Sequence, residues 1–247
     1  MNRILSLVRQ TWNKDIILIY NMGKVGSSSI EAQIPNAFHT HTLYGKPPSR
    51  PYHELKFGKA IMFLRKITIY PAKRFLFRRA KNVKIVTFIR RPEERNPSMF
   101  FQDLPFFVTS YLLKSSSKNS LSRIEDPELL ANVYANFFDL NYGANWLESE
   151  LSRFTGISVD QFDLGHSDYK KLEGYNFQIF IGKIENLNRY ISELSVFVGQ
   201  PLNIDRLSNR ASHKWYAPLY SDFKVSVRTL PTTKNNLDFK KRNGYIE

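Results

Sequence analysis

The chain has 247 residues, a length that suits one α/β domain with a large buried core. Hydrophobic residues make up 42% and aromatics 14%, which excludes an intrinsically disordered chain; the absence of cysteine excludes a disulfide framework, a thiolate metal site and a cysteine nucleophile. Against 22 Asp and Glu stand 36 Lys and Arg, a net charge of +14, so the expected partner is an anion: a nucleotide, an acidic polysaccharide, a membrane surface or nucleic acid.

In chain order, Met1–Gln10 sets Ile4, Leu5, Leu7 and Val8 between Arg3 and Arg9. This run is too short for the apolar part of a signal peptide and reads as a surface helix, with a membrane-touching amphipathic helix as the alternative. Asp15–Asn21 (DIILIYN) is predicted to be a buried strand, Met22–Ser29 a Gly- and Ser-containing loop, and Ser27–Gln33 a helix stopped by Pro35. Ala37–Leu43 (AFHTHTL) is predicted to be a second strand, whose alternation puts His39 and His41 on one face. Gly45–Pro51 is a loop, and His53–Ala80 a strongly basic helical stretch broken at Pro71. Val83–Ile89 is the third strand, and Pro92 opens a helix that runs to about Leu113 with a bend at Pro97. Lys114–Ser122 is a surface loop, followed by helices at Pro127–Leu140 and Ala144–Phe154, a fourth strand at Asn176–Ile181 and a helix at Leu187–Val198 closed by Gly199. The tail from Asp205 shows no clean period. Strand–helix alternation implies a mainly parallel central sheet flanked by helices, in a single domain over residues 1–247 with a short N-terminal extension at 1–13.

The chemistry concentrates in Ile17–Ile30, ILIYNMGKVGSSSI. A buried strand feeding a glycine-containing loop and a helix start is an anion-binding arrangement. Gly23 and Gly26 allow tight curvature, Lys24 brings a mobile point charge, and Ser27, Ser28 and Ser29 bring hydroxyls. It is not a Walker A loop, in which lysine follows the second glycine and Ser or Thr follows the lysine; here Val25 follows Lys24. The order resembles the 5′-phosphosulfate loop of sulfotransferases that use 3′-phosphoadenosine-5′-phosphosulfate (PAPS). Those proteins carry a second motif after a later strand, R-x-P-x-x-R-x-x-S, and Arg90, Pro92, Arg95 and Ser98 stand at that spacing directly after Val83–Ile89. Gly182–Gly199 resembles the family's late strand, turn and helix through Glu185, Asn186, Leu187, Phe197, Val198 and Gly199. The run NMGKVGSSSI, the pair His39 and His41, WLESEL at Trp146–Leu151 and KWY at Lys214–Tyr216 are similar to a bacterial sulfotransferase-like family associated with capsular polysaccharide synthesis and named for an Asn-Lys-Trp-Tyr-Ser string. In this chain that string reads His213-Lys214-Trp215-Tyr216-Ala217, so its first and last positions differ.

The resemblance implies a three-layer, P-loop-like sulfotransferase fold, and transfer of the sulfuryl group of PAPS to a hydroxyl of a glycan or another acceptor, in the cytoplasm and without a metal, by chemistry that relies on positioning and charge. In that reading Lys24 stabilises the leaving phosphate, the backbone of Gly23, Lys24, Val25, Gly26, Ser27 and Ser28, with the Ser29 hydroxyl near it, surrounds the 5′-phosphate, and Arg90 and Ser98 bind the 3′-phosphate. Arg210 and Lys214 reach the same phosphate from the tail, with Trp215 on the adenine. Three residues compete for the general base: His41 first, His39 second, and Glu150, four residues after Trp146. Three other readings stand beside it: a P-loop kinase, a non-catalytic polyanion-binding protein of polysaccharide assembly, and a peripheral membrane factor acting through Met1–Gln10 and the basic Lys56–Lys84 run. Nucleic acid ranks lowest among the partners, and no metal-ligand spacing is present in the sequence.

Overall fold

The computed structural model describes residues 10–45, 56–114, 126–203, 216–228 and 232–246. Five strands form one sheet: β1 (Asp15–Tyr20), β2 (Phe38–Thr40), β3 (Asn82–Ile89), β4 (Tyr169–Glu173) and β5 (Phe177–Lys183), in the order β2-β1-β3-β5-β4. The pairs β1–β2, β1–β3 and β3–β5 are parallel, and β4 returns antiparallel on β5 as an edge hairpin. β1, β3 and β5 are near-continuous apolar runs because both faces of the sheet are covered: Leu18, Ile19, Val86, Phe88, Phe180 and Ile181 are fully buried. β4 (YKKLE) is part-exposed along its length and carries two lysines, as an edge strand does, which is why hydropathy alone does not reveal it.

Helices flank this sheet. α1 (Ser27–Glu31) follows β1; α2 (Lys56–Ile67) and α3 (Ile69–Arg78) connect β2 to β3; α4 (Pro92–Gln102), α5 (Leu104–Lys114), α6 (Pro127–Phe137) and α7 (Tyr142–Trp146) lie between β3 and β4. α8 (Leu187–Val198) follows β5, and α9 (Ala217–Val227) and α10 (Lys234–Arg242) belong to the tail, where no regular structure is expected from the sequence. Several boundaries move. β2 is three residues long rather than seven, because the chain after Thr40 turns away under side-chain hydrogen bonds described below. The basic helix breaks at Thr68, with Pro71 taken into the first turn of α3, where a missing N–H is harmless. The next one runs through Pro97 and breaks at Asp103. α7 continues into a π-helical stretch, Leu147–Ser152, and a last α turn, Arg153–Thr155.

Two apolar clusters hold these layers. The larger surrounds the sheet and includes Trp146, Leu151, Phe154 and Tyr190. The second joins α4, α5, α6 and α9 through Phe100, Phe101, Phe107, Tyr134, Phe138 and Phe223, with Phe100 stacked on Phe223 at 5.4 Å. From β1 the chain crosses outward to β2, then returns to the other side of β1 to form β3. The C-terminal ends of β1 and β3 therefore flank a topological switch point, the crevice at which open α/β sheets take ligands.

Close packing at β5 gives a test. A Cβ on Gly182 would collide with the hydroxyl and ring of Tyr190, which is fully buried and donates to the Lys183 carbonyl at 2.7 Å. Gly182→Ala is expected to cost about 1–3 kcal/mol as overpacking, read as a lower urea midpoint with an unchanged slope. An unchanged midpoint would mean that α8 moves away from β5 without loss.

Candidate functional site

The loop after β1 leaves the sheet at the switch point with an unusual backbone. Gly23 (φ 82°), Lys24 (φ 60°) and Gly26 (φ 69°) are all left-handed. Glycine adopts this region freely, but a lysine there is disfavoured by about 1–2 kcal/mol. Successive backbone N–H groups in turns that include left-handed residues are the form from which anion-binding concavities are built. Val25 is fully buried, so it can offer a ligand only its backbone. α1 is five residues long, two fewer than expected, because the chain tightens after Glu31, with the Gln33 and Ile34 amides donating to the Ile30 and Glu31 carbonyls at 3.0 Å. So short a helix adds little dipole, so an anion placed here would be met by the loop amides and nearby side-chain cations instead.

Those cations come from the segment after β3. Arg90 Nη1 donates to the Lys24 carbonyl at 3.1 Å, so the two motifs read from the sequence meet. Glu94 lies 3.8 Å from Arg90 and is itself held by Lys224 at 2.7 Å. Glu185, in the turn after β5, accepts from the Arg91 amide at 2.8 Å and pins the β3–α4 connection from the other side. Arg95 is 1% exposed beneath the loop, where it donates to the Met22 carbonyl at 3.1 Å and to Asn96 Oδ1 at 2.6 Å and covers the ring of Tyr142. Burial pushes its guanidinium down to about 10, so it keeps its charge at neutral pH. Ser98 is half-buried in the second turn of α4; its neighbour Met99 lies 3.7 Å from where a Cβ on Gly23 would sit.

The two histidines meet as expected, with ring centroids 4.5 Å apart, but their surroundings differ. His41 is exposed, and its Nδ1 lies 2.9 Å from the Asn21 carbonyl. A carbonyl only accepts, so Nδ1 carries the proton and the basic lone pair belongs to Nε2. His41 is also beside the loop, 3.9 Å from the position of a Gly23 Cβ. His39 is bracketed instead: Glu31 lies 2.5 Å from its Nδ1, and the buried Ser27 hydroxyl is 3.4 Å from its Nε2. Ser27 thus turns toward His39, whereas Ser28 is exposed and Ser29 half-buried at the helix start.

Glu150 is 0% exposed and faces inward. Its carboxylate accepts from the Tyr20 hydroxyl, from Thr42 Oγ1 at 2.7 Å, from the Leu43 amide at 2.7 Å and from the Tyr44 amide at 3.2 Å. Burial, with Glu150 beside it, pushes the Tyr20 phenol well above its ordinary pKa, so Tyr20 remains the donor. The Trp146 indole donates to the His41 carbonyl at 2.9 Å. Trp146 and Glu150 therefore clamp the segment His41–Tyr44 from the π-helical side, in an arrangement that positions His41 rather than meeting an incoming hydroxyl.

Arg210, Lys214 and Trp215 lie outside the described residues. Sequence reasoning missed Asn21, Glu31, Glu94 and the buried position of Arg95; for Arg95 the motif spacing was a usable signal, and for Glu31 nothing local was. A cleft of about 330 Å³ opens on the far flank of α4, lined by Glu93, Asn96, Lys224, Asn236 and Lys240 among others, and does not include the loop. No protein-family model, curated protein or solved structure matches the chain. Glu150→Ala removes the acceptor of four buried or half-buried donors and is expected to cost at least about 3 kcal/mol. Tyr20→Phe, which leaves the carboxylate three donors, should cost about 1 kcal/mol. Denaturant unfolding of both variants checks the order; equal costs would overturn the clamp.

Proposed function

We propose that the chain is a PAPS-dependent sulfotransferase with a P-loop-like, three-layer fold, acting on a hydroxyl acceptor of the glycan class. The observation that carries this reading is the junction of Lys24 and Arg90 at the switch point: a left-handed loop bearing a lysine, bonded at its carbonyl by the arginine that opens the second motif. The residues fit a nucleotide with anionic groups at two ends. Loop amides and Lys24 suit the 5′-phosphosulfate, Arg90 and Ser98 the 3′-phosphate, and the buried charge of Arg95 raises the potential beneath both. No redox or proton-shuttling cofactor is needed for the step.

In the proposed reaction the acceptor oxygen attacks sulfur in line with the bridging oxygen. A new S–O bond forms as the S–O bond to the 5′-phosphate breaks, and the electron pair leaves on 3′-phosphoadenosine-5′-phosphate. The acceptor proton passes to His41 Nε2, the nitrogen left basic by the Nδ1–H bond to Asn21. Lys24 balances charge gathering on the leaving phosphate. His39, held between Glu31 and Ser27, supports His41 edge-on. Trp146 holds the His41 carbonyl, and Glu150 holds the residues that follow it.

Calorimetric titration of 3′-phosphoadenosine-5′-phosphate tests the site. The wild type is expected to bind in the micromolar range. Arg90→Ala should weaken binding about tenfold to a hundredfold, the worth of a charge-assisted hydrogen bond. Lys24→Gly, which removes the charge and relieves the left-handed strain, should raise the unfolding midpoint while weakening binding. His41→Gln should leave binding unchanged and abolish transfer. A folded wild type that ignores this nucleotide overturns the reading, and preference for ADP would favour a kinase.

A further inference from the structure

The connection between β2 and β3 carries a feature that sulfuryl transfer does not use. From Lys56 to Lys84 the sequence holds ten Lys or Arg and no Asp or Glu. Within it, all seven residues from Phe63 to Ile69 are exposed, spanning the end of α2 and the start of α3. Four of them are large and apolar: Phe63 is 64% exposed, Leu64 57%, Ile67 55% and Ile69 45%. At about 100° per residue, Phe63, Ile67 and Leu64 cover one arc of about 100° on α2, with Lys66 on one flank and Arg65 on the other. Farther along, Phe75 is half exposed, packs against the equally exposed Trp12 at 6.2 Å, and lies under the Arg79 guanidinium at 5.3 Å.

An apolar ridge with cations on its flanks has a specific physical complement. Water solvates the cations but not the ridge, and soluble proteins seldom leave clustered large apolar side chains in solvent without a partner. A polyanion in water would satisfy Arg65 and Lys66 and leave Phe63, Leu64 and Ile67 wet. An anionic bilayer satisfies both: apolar side chains enter the headgroup and acyl boundary while long basic side chains reach lipid phosphates and carboxylates. Repulsion within the cluster agrees, since burial and the nearby Arg65 charge push the Lys73 ammonium below its ordinary pKa. Among the described residues no helix is long and apolar enough to cross a membrane, so the contact would be peripheral.

We propose that the α2–α3 corner, through Phe63, Leu64, Ile67 and Ile69 with Arg65 and Lys66, docks the protein on an anionic lipid surface. This goes beyond the sulfotransferase reading and stands or falls without it. The test is flotation of the full chain with phosphatidylcholine vesicles, alone and with about 30% phosphatidylserine, in about 0.15 M salt. The wild type is expected to float with the anionic vesicles and remain with the soluble fraction when the vesicles are neutral. Phe63→Ser/Leu64→Ser/Ile67→Ser and, separately, Arg65→Glu/Lys66→Glu should each reduce flotation about tenfold or more. These positions are exposed, so circular-dichroism melts of the variants should match the wild type. Absence of flotation, or flotation of the apolar triple variant equal to wild type, overturns the proposal. So does sedimentation equilibrium in which the wild type forms a dimer that the triple variant cannot form, which would assign the ridge to a second copy of the chain.

Discussion

Everything at the candidate site depends on how the ends of the parallel strands are tied where they diverge. A strand that ends at a switch point leaves backbone donors and acceptors unpaired in a buried place, and these must find partners. Asn21 supplies them. Its amide donates to the Thr40 carbonyl of β2 at 3.2 Å, its side-chain oxygen accepts from the Phe88 amide of β3, and its own carbonyl accepts from His41. One fully buried polar residue therefore joins β2, β1 and β3, starts the left-handed loop at a fixed place and sets the tautomer of the histidine beside it.

Two features near this seam are unfavourable by themselves. Lys24 occupies a backbone region that side chains avoid, and Arg95 is a guanidinium taken almost entirely out of water. Burying a charge is expensive even when it is hydrogen-bonded, and backbone strain persists only where surrounding structure imposes it. Both are centred on the same five-residue turn, Arg95 through the Met22 carbonyl and Lys24 through Arg90. A phosphate or sulfate placed there would convert both into attractions: the strain presents the amides, and the buried charge acts through a medium that screens it less than water does. Local rules broken together at one sheet edge are the expected mark of a binding site.

The core strands were legible because β1, β3 and β5 are near-continuous apolar runs, though their order in the sheet was not, and the loop was legible because glycine and lysine have few structural reasons to stand together after such a run. What could not be read was anything that depends on register. Glu31 ends α1 and His39 belongs to β2; only the pairing of Ile19 with His39 brings the strand alongside this helix. Glu150 shows a different limit. The four-residue spacing from Trp146 places both residues on one side of a helix, but sequence periodicity does not say that this side faces inward. Nor does it foresee the π-helical stretch in which Glu150 sits, from which its one carboxylate reaches Tyr20, Thr42, Leu43 and Tyr44 together. The tail helices were missed for a simpler reason: α10 is largely polar, with Phe239 its deeply buried apolar anchor, so it has almost no hydrophobic period to detect.

The basic run after β2 has a division of labour that composition alone obscures. Arg74 turns inward, donating to the Leu43 carbonyl at 2.5 Å and covering the Tyr44 ring at 4.6 Å, and Arg78 donates to the Phe154 carbonyl at 3.0 Å. These two cations are structural: Arg74 holds the turn after His41 from the α3 side, and Arg78 ties α3 to the turn that follows the π-helical stretch carrying Glu150. Arg65 and Lys66 instead flank the exposed apolar corner. The same stretch of sequence thus fixes the site at one end and meets the surroundings at the other, and the short α2–α3 pair is what separates the two roles. Because α3 is anchored through Arg74 to the turn that follows His41, a surface that held the corner would present the switch-point crevice in a defined orientation, and that follows from rigid contacts alone, without any change of conformation.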